Sequence, residues 1–449
     1  MASCSASPAG AFNLPNAGLG SSTAQERLDA VRALGDSVRD GAPQTDEVNN
    51  HVHSTYSFSP YSPTMIAVEA ARAGLQTVGI MDHDSVSGCE EFLDACKAVD
   101  IASTAGFEMR VNMDGTCIEG RKTNNPDEPN ISYIAIHGIP RDRLTDARDF
   151  LRPIHDARMA RNRREVERLN RLLAECGAPL LDFDSEVLPV SQAEQGGSMT
   201  ERHILFALSE KLADEFGRGE ALLDFVENRM NLAVSGSLRS RLLDAGNPHY
   251  LYDLLGVFKS ALVPAFFIPS DHHECPSVFD AVAFACSIGA IPAYAYLGDV
   301  LSSATGDKKA EKFEDDYLDE LVPELVRIGF QAVTYMPPRN SREQLLRLQN
   351  LCRQHGLMEI SGVDINSSRQ SFNCPILLEP QYRHLVDAAW ALIAHEKLAS
   401  SEPSLALFHP QNPLVDTPLP ERVSRYSRLG QRIDYTRPER AIELAGEWV

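Results

Sequence analysis

From residue 48 onward, short apolar runs alternate with amphipathic stretches. The run Thr77-Val78-Gly79-Ile80-Met81 predicts a buried strand ending in Asp82-His83, and residues 64–73 before it carry a helical period closed by Gly74. Residues 101–107 and 131–136 predict strands that end in Glu108 and His137. The alternation stops near Pro140, and a charged, helix-rich stretch runs to about residue 261. Strand-like runs return at 290–296, 331–335 and 358–363, with helical segments at 277–287 and 341–355. Repeated βα units predict a parallel sheet, open or closed into a barrel, with functional residues at the carboxyl ends of its strands. Ahead of this, residues 1–22 are rich in Ala, Ser, Gly and Pro and read as a disordered leader, followed by an amphipathic helix over about 23–39.

A chain of 449 residues predicts two or three domains. Its formal charge of −21 argues against a general nucleic-acid or anionic-membrane binder, because affinity for a phosphate backbone comes mainly from Lys and Arg. One insertion segment is rich in arginine (Arg158, Arg161, Arg163, Arg164, Arg168, Arg171), but the intervening Glu165 and Glu167 favour a solvated helix with local ion pairs over RNA contact. The opening residues lack the basic and apolar regions of a signal peptide, and no stretch approaches the length of a membrane span, so a cytoplasmic location is expected. Nine cysteines without a C-x-x-C pair read as reduced thiols, Cys275 and Cys374 among them as small buried hydrophobes.

The chemistry lies where the apolar runs end. His51-Val52-His53, Asp82-His83-Asp84, Glu108, His137 and Asp364 are all residue types that ligate hard or borderline metals. On a strand, residues two apart share a face with about 7 Å between their Cα atoms, so His51 and His53 can both aim at one ion. Glu108, His137 and Asp364 then arrive at equivalent strand ends, which predicts one metal-binding pocket.

Three motifs carry a resemblance. His51-Val52-His53-Ser54-Thr55-Tyr56-Ser57, the run Gly79-Ile80-Met81-Asp82-His83-Asp84-Ser85-Val86-Ser87-Gly88, and Gly106-Phe107-Glu108 resemble, in order and spacing, the opening motifs of the PHP (polymerase and histidinol phosphatase) family, and the likeness extends to Gly362-Val363-Asp364. The resemblance implies an α/β fold, a distorted (β/α)7 TIM-like barrel formed by residues 47–140 and 264–400. A helical insertion or cap over 141–263, a leader and helix over 1–46, and a C-terminal extension over 401–449 that wraps the barrel or meets a partner subunit complete the expected organisation.

The resemblance also implies one or two divalent ions (Zn, Mn or Fe). A first ion would be held by His51, His53, Glu108 and Asp364. A second would use Glu108 and His137, but its remaining histidine is replaced by Tyr296, and a phenol with an ordinary pKa of about 10 is a poor ligand. A third ion is not expected, since its ligands become Phe58 and Asn366, leaving His83 with Asn366 as a weak oxygen ligand. His272 and His273, in Asp271-His272-His273-Glu274, either cap a helix or repair the second site.

The segment Gly197-Ser198-Met199-Thr200-Glu201-Arg202-His203-Ile204 is similar to a Gly-Arg-x-His segment that caps the pocket in many PHP phosphoesterases, which makes Arg202 and His203 candidates for phosphate contact or, equally, an exposed helix start. Arg339 and Arg369 follow strand ends and are further substrate-binding candidates, and Tyr296 is one that would orient a substrate oxygen. His83, His137 and Asp364 are the expected catalytic residues. The activity implied is metal-dependent hydrolysis of a small phosphomonoester by a metal-activated water. Hydrolysis of a lactone or amide on the same centre, or a degenerate barrel that binds one ion without turnover, are the alternatives.

Overall fold

The computed structural model describes residues 18–43, 45–300 and 311–446, so the leader falls largely outside the described residues. Seven strands form one sheet in chain order: β1 (Val48–Val52), β2 (Thr77–His83), β3 (Ala102–Asn112), β4 (Ile131–His137), β5 (Ile291–Ala295), β6 (Ala332–Tyr335) and β7 (Met358–Ser361). The helices are α1 (Ala24–Leu34), α2 (Pro63–Arg72), α3 (Cys89–Ala98), α4 (Leu144–Cys176), α5 (Glu201–Phe216), α6 (Glu220–Asp224), α7 (Gly236–Leu243), α8 (Tyr250–Phe266), α9 (Val278–Ser287), α10 (Leu318–Ile328), α11 (Arg342–His355), α12 (Arg383–Ala399) and α13 (Leu419–Gly430). Local signals account for several boundaries. Ser62 caps α2 ahead of Pro63, Ser341 and Gln344 form a reciprocal capping box on α11, and Gly356 ends α11 in the left-handed conformation.

The sheet closes into a distorted barrel. Val52 bridges Ile365 in parallel, and where β1 and β7 fail to pair by backbone, Asn50 Nδ2 donates to Ser361 O (3.0 Å) and Asn49 Nδ2 to Val363 O (3.1 Å). The expectation of an all-parallel sheet is corrected at β4, which runs antiparallel to both β3 and β5. Residues 113–130 contain no helix, and without a crossover helix two consecutive strands can pair only as a hairpin.

Because β4 runs backwards, the chain leaves it at the opposite rim, and α4 carries it along the barrel. At 33 residues α4 is about 50 Å long. Its first half (Leu144, Ala147, Leu151, Ile154) packs in the barrel core, while Val166, Leu169 and Leu173 belong to a second apolar cluster shared with α5 and α8, the cap. The barrel floor is filled by α12. Ala293, Ala332 and Met358 lie in register with Glu108 on the inner face, and with Ile291 and Ile360 they pack on Ala388, Ala391 and Leu392. Glu396 of α12 fixes this plug by accepting from Thr104 Oγ1 (2.8 Å) and Ala105 N (2.6 Å). Tyr426 and Leu429 of α13 pack in the same cluster, so the C-terminal segment lies on the barrel floor. No described helix is long and apolar enough to cross a membrane.

Candidate metal centre and pocket

His51 sits on β1 where the register with β2 shifts between Asn49 and Val52, an irregularity of the kind that re-aims side chains beside functional sites. His83 ends β2 and Asp364 follows β7, but the expectation of equivalent strand ends is corrected for two residues: Glu108 lies mid-way along β3, and His137 ends the antiparallel β4, opposite Ile291 at the start of β5. Gly362 lets that last loop approach, since a Cβ there would come within 2.5 Å of His51 Cβ.

Ligand atoms of His51, His53 and Glu108 all lie within 4.8 Å of one another, and all three residues are buried. His51 Nε2 is 3.5 Å from Glu108 Oε2, while His53 Nε2 is 3.4 Å from Glu108 Oε1 and 3.1 Å from Asp364 Oδ1. The protons of His53 can be followed. Ser57 Oγ donates to Asp82 Oδ1 (2.7 Å), so it must accept from His53 Nδ1 at 3.2 Å, which leaves a lone pair on His53 Nε2 facing two carboxylates. Asp82 is itself held by Ser54 N and Ser54 Oγ, both at 2.6 Å. Acceptors turned toward acceptors are repulsive unless a cation lies between them. Bonds of about 2.1 Å in tetrahedral geometry separate ligand atoms by about 3.4 Å, close to the spacings seen here.

The same two carboxylates are also stabilised when the imidazoles are protonated, so a proton competes with a cation for His53 Nε2. Burial alone would raise the Glu108 carboxyl, but the imidazoles of His83 and His51 more than offset it and hold it well below the ordinary range. Burial likewise acts upward on Asp364, and His53 overcomes it. His137 shares the inner face with Glu108, is 1 % exposed, and has no hydrogen-bond partner on either ring nitrogen among the described residues. Burial pushes it down to about 3, which leaves the neutral imidazole that ligation requires. His83 stacks on His53 with ring centroids 4.6 Å apart and places Nδ1 2.8 Å from Glu108 Oε1. His51, His53 and Glu108 thus form a group that could hold a divalent ion, and Asp364 Oδ1 lies 3.1 Å from His53 Nε2 beside it.

A cavity of ≈ 290 Å³ opens above these residues, roofed by Thr200, Arg202 and Leu205 of the cap. Its arginines differ. Arg110 donates to Glu128 at 3.1 Å and also pairs with Glu274, and Arg158 pairs with Asp84 (2.9 Å) and Glu274 (3.0 Å), so both are already neutralised. Arg202 lines the same cavity without a carboxylate partner among the described residues, and Arg339 lies exposed at its edge.

Other expected site residues are corrected. His203 accepts from Thr200 N at 3.0 Å and packs edge-on against Phe58 behind the cavity wall, so it closes the cap of α5 and does not reach the pocket. Arg369 is engaged by Asp253, away from the cavity. Asn366 turns its amide nitrogen to Asp364 Oδ1 (2.7 Å), acting as a donor to a ligand and not as an oxygen ligand. Tyr296 lines the cavity, but its hydroxyl donates to Asp315 at 2.5 Å, and burial together with Asp315 pushes the phenol far above its ordinary value. His272 and His273 are exposed on a turn capped by Asp271, which leaves them outside the pocket.

The arginine-rich helix also departs from expectation. Arg158 and Arg161 are 5 % and 2 % exposed, and Glu165 is fully buried. A signal for this was present: 144, 147, 151, 154, 158, 161, 165, 169 and 173 form one stripe at helical spacing, with the charged residues in its middle. Arg110 was likewise legible as an inward residue, two positions after Glu108 on one strand.

Beside Tyr296, Glu314 is fully buried and accepts from Leu297 N (2.8 Å) and Gly298 N (3.3 Å). Burial pushes its carboxyl up to about 7. Its folded value lies above the unfolded one, so this contribution is complete below about pH 4.3 and is lost as pH rises through 7, by about 3 kcal/mol. Glu314→Gln is therefore expected to gain stability relative to wild type between pH 5 and pH 8 in thermal melts. A gap that stays constant with pH would show Glu314 to be charged in the fold.

Comparison with known proteins follows the same residues. Residues 49–214 match the model of the PHP domain family. Over those residues the chain is similar to the PHP domain. The "Error-prone DNA polymerase" of Mycobacterium tuberculosis is 32 % identical over 81 residues, 18 % of this chain and 7 % of that protein. The "5'-3' exoribonuclease" of Haemophilus influenzae is 34 % identical over 71 residues, 16 % of this chain and 26 % of that protein. The chain thus matches only a small part of each curated relative. Among solved structures, a protein from Bifidobacterium adolescentis named as a metal-dependent phosphoesterase aligns over 74 % of this chain and 93 % of its own, at 17 % identity and TM-score 0.47. An amidohydrolase from Chromobacterium violaceum aligns over 76 % and 95 %, at 18 % identity and TM-score 0.48. The PHP match includes His51, His53, His83, Glu108 and His137 and continues through α4 to α5, so it takes in part of the cap.

Proposed function

We propose that this protein is a metal-dependent hydrolase that cleaves a small phosphomonoester. The observation that carries the reading is the juxtaposition, in one cavity, of the unpartnered His51 Nε2 and the carboxylates of Glu108 and Asp364 with Arg202, which has no carboxylate partner among the described residues. His51, His53, Glu108 and Asp364 would hold the ion, with His137 as the further ligand available to a second. When bound, such an ion supplies Lewis acidity and an activated water. Arg202 binds the phosphoryl oxygens, for which a planar guanidinium is suited. His83, at the cavity edge and oriented by Glu108, delivers a proton to the leaving oxygen. Phe58, Leu205, Val263 and Phe267 form the apolar part of the wall and exclude water.

A second reading, hydrolysis of a lactone or amide on the same residues, is favoured by one observation: Arg110 and Arg158 are neutralised, so the pocket carries less free positive charge than its arginines suggest.

Phosphate release from sugar, nucleotide and amino-alcohol phosphates, by protein reconstituted separately with manganese, zinc and iron, separates the two. Turnover is expected in wild type and absent in Asp364→Ala. Arg202→Ala should lower kcat/KM about ten- to hundredfold, the loss of a hydrogen bond to a charged group. Cleavage of lactones or amides by folded, metal-loaded protein that leaves every phosphate intact establishes the second reading.

A further inference from the structure

Asp364 is the ligand least fixed by the sheet. It lies beyond the end of β7, and its side chain is 38 % exposed where that of His53 is fully buried. Side chains hold its loop instead. Gln370 donates from Nε2 to Asp364 O (2.6 Å) and accepts at Oε1 from Asn366 N (2.8 Å). The preceding residue, Arg369, makes a two-point contact with the cap: Nε donates to Asp253 Oδ1 (2.9 Å) and Nη2 to Asp253 Oδ2 (2.6 Å). Asp253 lies in the first turn of α8, is 6 % exposed, and also accepts from Asn247 Nδ2 at 2.8 Å. One residue earlier still, Ser368 Oγ is 2.8 Å from His249 Nδ1.

Neither Arg369 nor Asp253 lines the cavity, so the pair does not touch substrate. Its counterparts on the other ligand loops are also cap contacts. Arg158 of α4 holds Asp84, next to His83, and Ser198 N donates to Tyr56 O (2.7 Å) in the loop after His53. The insertion therefore grips the loop beside each of three candidate metal-binding residues.

We propose that Arg369 and Asp253 are positioning residues, through which the cap sets Asp364 against His53 and so fixes the affinity of the centre for its ion. The inference rests on the metal-centre reading above. The physical reason is that a ligand on irregular backbone pays an ordering cost on binding unless neighbouring contacts have already ordered it. Partners one shell beyond the ligands typically change metal affinity ten- to hundredfold.

The experiment measures affinity for manganese and for zinc by chelator competition on the full chain, with thermal melts of the metal-free proteins alongside. Arg369→Ala is expected to weaken binding about tenfold, and Arg369→Lys to recover part of that loss. Asp253→Asn should match Arg369→Ala, and the double variant should be no weaker than either single one, because both remove the same contact. Gln370→Ala loosens the loop without touching the cap and is expected to weaken binding as well, while Arg369→Lys and Asp253→Asn keep the cap contact under test if Arg369→Ala fails to fold. Arg369→Ala or Asp253→Asn proteins that bind as tightly as wild type, with only their melting temperatures lowered, overturn the inference alone. A wild-type chain that binds neither ion overturns the metal centre and this inference with it.

Discussion

Glu108→Gln is expected to abolish metal binding and turnover while leaving the barrel folded. Glu108 faces His51, His53 and His83 at once, so its carboxylate is the negative charge common to the whole cluster. The amide keeps the size of the side chain but loses the charge, and its nitrogen cannot ligate. The loss should exceed the ten- to hundredfold associated with outer-shell partners. Two measurements check it. Chelator competition should show binding in wild type and none in the variant. Added metal should raise the melting temperature of wild type, since an ion at a thousand times its Kd stabilises by about 4 kcal/mol, and should leave the variant unmoved. A variant stabilised by metal as strongly as wild type would mean that the ion sits elsewhere.

The parts of the fold legible in the sequence are those where local chemistry and tertiary placement agree. Strand β2 is apolar over Val78–Met81 and ends at His83 as expected, and α11 carries its capping box and its terminal glycine. The direction of β4 was hidden because apolar runs report burial and not polarity of the chain. The telling feature was negative: residues 113–130 lack a helical period. Closure between β1 and β7 depends on the amide side chains of Asn49 and Asn50, whose partners are about 310 residues away, and no local pattern predicts a contact at that range.

The centre was more legible than the pocket above it. His51, His53, Glu108 and Asp364 stand out together because each follows an apolar run, although β3 continues past Glu108 to Asn112. Arginine is common on helix surfaces, so composition alone placed Arg158 and Arg161 in solvent, whereas their positions in the buried stripe put them against Glu274. Conversely Arg369, chosen because it follows a strand end, is engaged by the cap. Proximity to a strand end in sequence does not say which side of a loop an arginine faces.

Phe58 shows how one substitution at a ligand position is tied to the rest of the molecule. Where the family pattern implies an acidic or histidine ligand, this chain places an aromatic ring that is 3 % exposed and belongs to the core of the cap. Its centroid lies 5.0 Å from His203, 5.9 Å from Tyr252 and 6.0 Å from Phe206. Phe58→Asp would restore the ligand type, yet the carboxylate would be buried among those rings. Removing the ring costs about 3–5 kcal/mol, and burying an unpaired polar group adds to it. Thermal unfolding should therefore show a large loss of stability, with no increase in the number of ions bound per chain by elemental analysis. Phe58→Leu, which keeps much of the apolar volume, should lose far less. A Phe58→Asp protein that remains as stable as wild type and takes up one more ion would show that the position is still poised as a ligand and that the cap does not depend on it. The expected outcome instead makes Phe58 the point where a ligand loop of the barrel became part of the cap's core. Ser57, which bonds His53 Nδ1, is its immediate neighbour, so the same anchor also steadies the candidate metal centre.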